Sequence, residues 1–106
     1  MTGQASFQIQ ARLCKSLGHP VRLEMLHYLR SGPKQVTELA RLVGQPESTV
    51  SRHLSLLRSA GVVLANHQGR TVHYRIANSK LFQVCDLMRQ TLDEQHAREA
   101  RIARYL

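Results

Sequence analysis

The sequence predicts a mostly α-helical domain with one small β-hairpin, in the order α-α-α-α-β-β-α. Three observations predict it. Glycine and proline cut the N-terminal part into helix-length segments, and apolar residues recur within those segments at helical spacing. After Gly61 the apolar residues alternate with polar ones, and further along the helical spacing returns.

The first helix is expected at about residues 5–17, closing before Gly18. In Gly18-His19-Pro20, glycine follows one helix, His19 can cap the next, and Pro20 fits its first helical position. The second helix, about 20–31, is stopped by Gly32-Pro33. Val36, Leu39, Ala40 and Val43 follow the i, i+3, i+4, i+7 rule for one buried face and define a third helix at 36–43. Gly44-Gln45-Pro46 repeats the punctuation, with Pro46 read as the first residue of a fourth helix at 46–60. Its stripe is Val50, Leu54, Leu57 and Gly61. Val62–Asn66 then reads as a strand, followed by a tight turn at Gln68-Gly69. Val72, Tyr74 and Ile76 alternate with Thr71, His73 and Arg75 as a half-buried partner strand. Leu81, Cys85, Met88 and Leu92 mark a last helix at about 78–104. A short helix, tight turn and second helix (36–60) followed by a basic-tipped hairpin (62–76) is the winged helix-turn-helix plan.

A chain of 106 residues makes one domain, 1–106. Its modest core favours a homodimer, joined through the first helix (5–17) and the last (78–104). With 15 Lys+Arg against 7 Asp+Glu the formal charge is +8, which suits a polyanionic partner or an anionic membrane surface. Met1–Gln10 lacks a signal-peptide core, and no apolar run approaches the ~20 residues of a membrane span. The expected location is the cytoplasm, with no membrane partner. Cys14 and Cys85 match no CxxC or zinc-ribbon spacing. No Gly-rich phosphate loop, nucleophile elbow or paired-carboxylate pocket is present, which argues against an enzyme.

Chemistry concentrates on the fourth helix. With Val50, Leu54 and Leu57 inward, its outward face centres on Arg52 and gathers Ser48, Thr49, Ser51, Ser55 and Ser59, with His53 at the edge. Small hydroxyl side chains allow a helix to approach the floor of the DNA major groove, and arginine can reach guanine or phosphate. An ordinary solvated helix face is the plainer reading, but it leaves the basic charge and the following hairpin unexplained.

The stretch Pro46-Glu47-Ser48-Thr49-Val50-Ser51-Arg52-His53-Leu54 through Ala60-Gly61-Val62-Val63 resembles the recognition helix of the ArsR/SmtB family of bacterial repressors. So do Leu17-Gly18-His19-Pro20-Val21-Arg22-Leu23, Val36-Thr37-Glu38-Leu39-Ala40 and the wing Gln68-Gly69-Arg70-Thr71-Val72-His73-Tyr74-Arg75. Pro46 departs from the family's usual capping residue. The resemblance implies a dimeric repressor on double-stranded DNA, bound to an inverted repeat and released by an effector. It places Ser48, Thr49, Ser51, Arg52 and His53 in the major groove and Arg70 on the backbone or minor groove. The helical angle turns Arg58 away from the groove, so a solvated or salt-bridged Arg58 is expected.

The family's metal positions hold Asn78, Lys80, Thr91 and Glu94 here, and an ammonium repels a cation. Its other site needs cysteines where Glu38–Leu42 has none. Cys14 and Cys85, placed on the apolar faces of the two dimerisation helices, leave three readings: buried small hydrophobes, a redox or sulfur switch, or a site for a soft metal or metalloid. His27 is expected partly buried, and His67 and His73 facing across the wing. His96 and Glu99 have chelating spacing, but beside Arg98 and Arg101. Outside this scheme stand two rivals, a DNA-binding or architectural winged helix without an effector and a winged helix used on RNA or protein.

Overall fold

The computed structural model describes residues 3–104; Met1, Thr2, Tyr105 and Leu106, included in the single-domain reading, lie outside them. The elements run α1 (Gln4–Ser16), α2 (Pro20–Leu29), α3 (Val36–Val43), α4 (Glu47–Ser59), β1 (Val63–Gln68), β2 (Thr71–Ile76) and α5 (Lys80–Arg104). That is the predicted order.

The local chemistry explains most boundaries. His19 caps α2: its Nδ1 accepts from the Val21 N–H at 3.1 Å, and Pro20 follows at the first helical position. The helix ends at Leu29, short of the expected 31. There Gly32 donates back to the Leu29 carbonyl at 3.1 Å and takes φ 130°, a conformation that favours glycine. Glu38 reaches back to the Gln35 N–H at 3.2 Å to start α3, and Gly44, at φ 66°, closes it in the left-handed conformation. Pro46 is the N-cap of α4 and not its first helical residue. Its ψ of 147° is extended, while its carbonyl already accepts from Thr49 and Val50, each at 3.1 Å.

The hairpin is longer than expected. Strand β1 runs to Gln68, which pairs with Thr71, so the two-residue turn is Gly69-Arg70, one residue beyond the predicted position. Gly69 has φ 62° and Arg70 is not at positive φ, the pattern of a turn with glycine first. A third, one-residue strand joins the wing: Lys34 and Tyr74 exchange backbone hydrogen bonds of 2.9 and 2.8 Å. Antiparallel register sets His73 opposite Asn66 and His67 opposite Val72, so the two histidines lie on opposite faces of the ribbon and do not form a pair.

Leu17, Met25, Leu26, Leu29, Leu39, Ala40, Val50, Leu54, Leu57, Val62 and Val63 make one buried core from α1 to β1. Helix α5 contributes only partly buried residues, Leu81, Phe82 and Cys85. Beyond Cys85 it is exposed throughout its described length. The radius of gyration, 16.6 Å, exceeds the ~13 Å of a compact chain this long, because α5 runs 25 residues and projects from the core. No helix among the described residues is long and apolar enough to cross a membrane.

Candidate nucleic-acid interface

Helix α4 owes its orientation to the stripe Val50, Leu54 and Leu57, each 0% exposed. The fixed 100° step per residue then dictates what faces outward. Arg52 falls almost opposite that stripe and is exposed, as are Ser48, Ser51, Ser55 and Ser59; Thr49 is half-buried. The predicted row therefore stands on one open face. Leu56, 42% exposed, shares the edge of this face and was missing from the sequence reading. Being apolar and one turn beyond Arg52, it gave no polar signal.

Helix α3 and the three-residue turn Gly44–Pro46 hold α4 from behind. The packing partners on α3 are Leu39 and Ala40, both buried. At the other end of the unit the wing projects, and Arg70 sits exposed in its tip. Thr71 braces that turn through its Oγ1, which donates to the Gln68 carbonyl at 2.9 Å.

His53 is oriented differently from its neighbours. The ring is half-buried, packs at 4.5 Å against the His19 ring, and its Nδ1 lies 3.2 Å from Arg22 Nη1. Burial, followed by the charges of His19, Arg22 and Arg52, pushes its pKa below 6.5. It is therefore turned toward α2, away from the open row. Arg58 is exposed and carries no side-chain hydrogen bond among the described residues.

The thiols separate by environment. Cys14 is exposed on α1 in the single protomer, whereas Cys85 is partly buried and packs on the core. Burial, above all, pushes the Cys85 thiol pKa up, which disfavours the thiolate needed for attack or metal ligation. Neither cysteine is in a disulfide. Among the described residues of one protomer no three His, Cys, Asp or Glu side chains gather as a metal centre. His27 is exposed, its ring 5.3 Å from that of Tyr28, and was wrongly expected to be partly buried.

Residues 19–64 match the profile described as "Bacterial regulatory protein, arsR family". Over 86 residues the chain is 36% identical to the HTH-type transcriptional regulator NmtR of Mycobacterium tuberculosis, covering 81% of this chain and 71% of that one. The chain belongs to the ArsR family. It is also 42% identical over 71 residues to the regulator CmtR of Mycobacterium bovis, spanning 67% of this chain and 60% of CmtR. Among solved structures, a homodimeric winged helix-turn-helix DNA-binding domain from Mycobacterium bovis superposes with a TM-score of 0.79 at 32% identity, covering 90% of this chain and 93% of that one. The AntR antimony-specific transcriptional repressor gives 0.75 at 31% identity, with 90% and 86% covered. The ArsR-family match begins at His19, the N-cap of α2, and ends inside β1, so it encloses the whole helix-turn-helix.

Proposed function

We propose that this ArsR-family chain is a homodimeric transcriptional repressor that binds an inverted repeat in duplex DNA. Helix α4 enters the major groove with Ser48, Thr49, Ser51 and Arg52, Arg70 meets the backbone beside it, and His53 supports the row from behind. The carrying observation is the open face of α4: four serines and Arg52 exposed, directly across the helix from three fully buried aliphatics. The +8 charge supplies the phosphate attraction that any such complex needs. A homodimer is supported by the homodimeric structural neighbour and by exposed apolar residues on α1 and α5: Phe7, Ile9, Val84, Leu87, Met88 and Leu92. Selecting duplexes from a random pool should enrich an inverted repeat bound at least ~1,000-fold more tightly than random duplex. Equal affinity for both duplexes, or preference for structured RNA, overturns this reading.

Release by a thiol-directed effector is a second reading, favoured by the exposed, unpaired Cys14 and by the likeness to an antimony-specific repressor. In it, Cys14 is the accessible sulfur and Cys85 the partner that a dimer must bring to it. Arsenite or a mild oxidant should then release operator DNA from the wild type but not from C14S. Equal release from C14S removes Cys14 from the account.

A further inference from the structure

Arg22 makes three contacts that no DNA-reading role requires. Its Nε donates to the Ser16 carbonyl at 2.6 Å, its Nη2 to the Lys15 carbonyl at 3.4 Å, and its Nη1 points at His53 Nδ1 at 3.2 Å. The two carbonyls belong to the C-terminal end of α1, where a helix carries partial negative charge and a guanidinium is favoured. One side chain of α2 thus fastens the end of α1 to the middle of α4, next to Arg52. A guanidinium has only N–H donors, so this contact is a hydrogen bond when His53 Nδ1 accepts, which requires the neutral ring with its hydrogen on Nε2. The adjoining His19 ring also uses its Nδ1 as acceptor, for the Val21 N–H that starts α2. Every charged or titratable group acting on His53 is basic: His19 and Arg22 from the α2 side, and Arg52 on its own helix.

We propose that Arg22 is a positioning residue for operator binding, setting the tilt of α4 through a neutral His53, and that protonating His53 undoes the joint. This rests on the DNA-binding reading above. A proton on Nδ1 would replace the Arg22–His53 hydrogen bond with two cations in contact, and the ring has no acid beside it to compensate. The displaced α4 would carry Ser48–Arg52 out of register with the groove. The expected sign is unusual, because added positive charge on a phosphate-binding surface ordinarily tightens DNA binding. The fit between α1, α2 and α4 is thereby made dependent on pH.

The test uses the full chain and a duplex selected from a random pool at pH 7.5, titrated at pH 7.5 and 5.5 at one ionic strength. Wild-type affinity is expected to fall about tenfold on acidification. H53N, whose amide oxygen replaces Nδ1 as an acceptor that cannot be protonated, should hold its two affinities within about twofold of each other. R22Q should bind more weakly than wild type at pH 7.5 and show a flattened profile. Unchanged or tighter wild-type binding at pH 5.5, or an equal fall in H53N, overturns the proposal. A nitrogen-15 spectrum of the wild-type ring at pH 7.5 provides a readout independent of the variants' folding. It should show Nε2–H with Nδ1 accepting; an Nδ1–H ring or a charged ring overturns the joint. Absence of binding to any duplex at either pH removes the DNA-binding reading and this inference with it. Binding without an acid-induced fall removes the inference alone.

Discussion

The segment from α2 to β1 and the distal part of α5 follow opposite rules. In the first, every element surrenders its apolar side to a common core, and Leu39, Val50, Leu54, Leu57, Val62 and Val63 are all 0% exposed. In the second, Leu87, Met88, Leu92 and Ile102 stand 62, 43, 54 and 54% exposed, and no α5 residue is fully buried. The apolar content is similar in kind, but only one region closes upon itself. The helix-turn-helix is a finished platform, whereas α5 presents an exposed apolar surface that the proposed dimer would bury. Stability of the protomer and assembly of the proposed dimer should therefore respond to different residues.

The sharpest way to break that distinction is to cut into each region in turn. Leu54→Ala should destabilise the fold by about 2–5 kcal/mol, the cost of a cavity at a closed site, and urea unfolding measures it. A loss below about 1 kcal/mol would mean that the core is looser than its burial implies. Replacing Leu87 and Leu92 with Glu should instead abolish the dimer in sedimentation equilibrium while leaving the helical circular-dichroism signal largely intact. Persistence of the dimer would remove distal α5 from the interface. Gly44→Ala is a smaller perturbation of the platform. Its φ of 66° is strained for alanine although its Cβ would meet nothing, so about 1 kcal/mol of stability should be lost.

Acid should act on the platform before it acts on α5. His53 is held below 6.5 in the fold, so between that folded value and 6.5 the unfolded chain binds more protons. Its contribution is complete above 6.5 and is lost as the pH drops beneath that value. Thermal melts from pH 7.5 to 5.5 should show the decline in wild type and a shallower one in H53N. The least sensitive contact is the one joining the two regions. Arg30 clasps Asp86 of α5 with hydrogen bonds of 2.6 and 3.2 Å and lies 5.0 Å over the Phe82 ring. That hydrogen bond, first of all, holds the Asp86 pKa below 3.8, so its contribution vanishes only as the pH falls through that lower range. The pair is exposed, and D86N should lower the melting temperature only slightly at neutral pH.

What the chain announced in advance was what repeats along it. The i, i+3, i+4, i+7 pattern of Val36 to Val43 located α3 without error, and the alternation of Val72, Tyr74 and Ile76 located the wing. The face of α4 followed from three aliphatics and a fixed angular step. Single contacts between distant residues leave no such periodic trace. Arg22 meeting His53 across 31 positions, and Lys34 pairing with Tyr74, were invisible for that reason. Pro46 misled in another way, because its fixed φ suits both the N-cap and the first helical position, and only ψ separates them. Cys14 and Cys85 looked alike as apolar-face residues, yet the core reaches one and not the other.

The central claim is that Arg52 and its serine neighbours read base sequence, and paired titrations of wild type and R52A test it most directly. At fixed salt, R52A should bind the selected inverted repeat roughly 5- to 150-fold more weakly, the size of one lost base-reading contact, and random duplex almost as well as wild type. An equal loss on both duplexes, or no loss on either, would contradict the account.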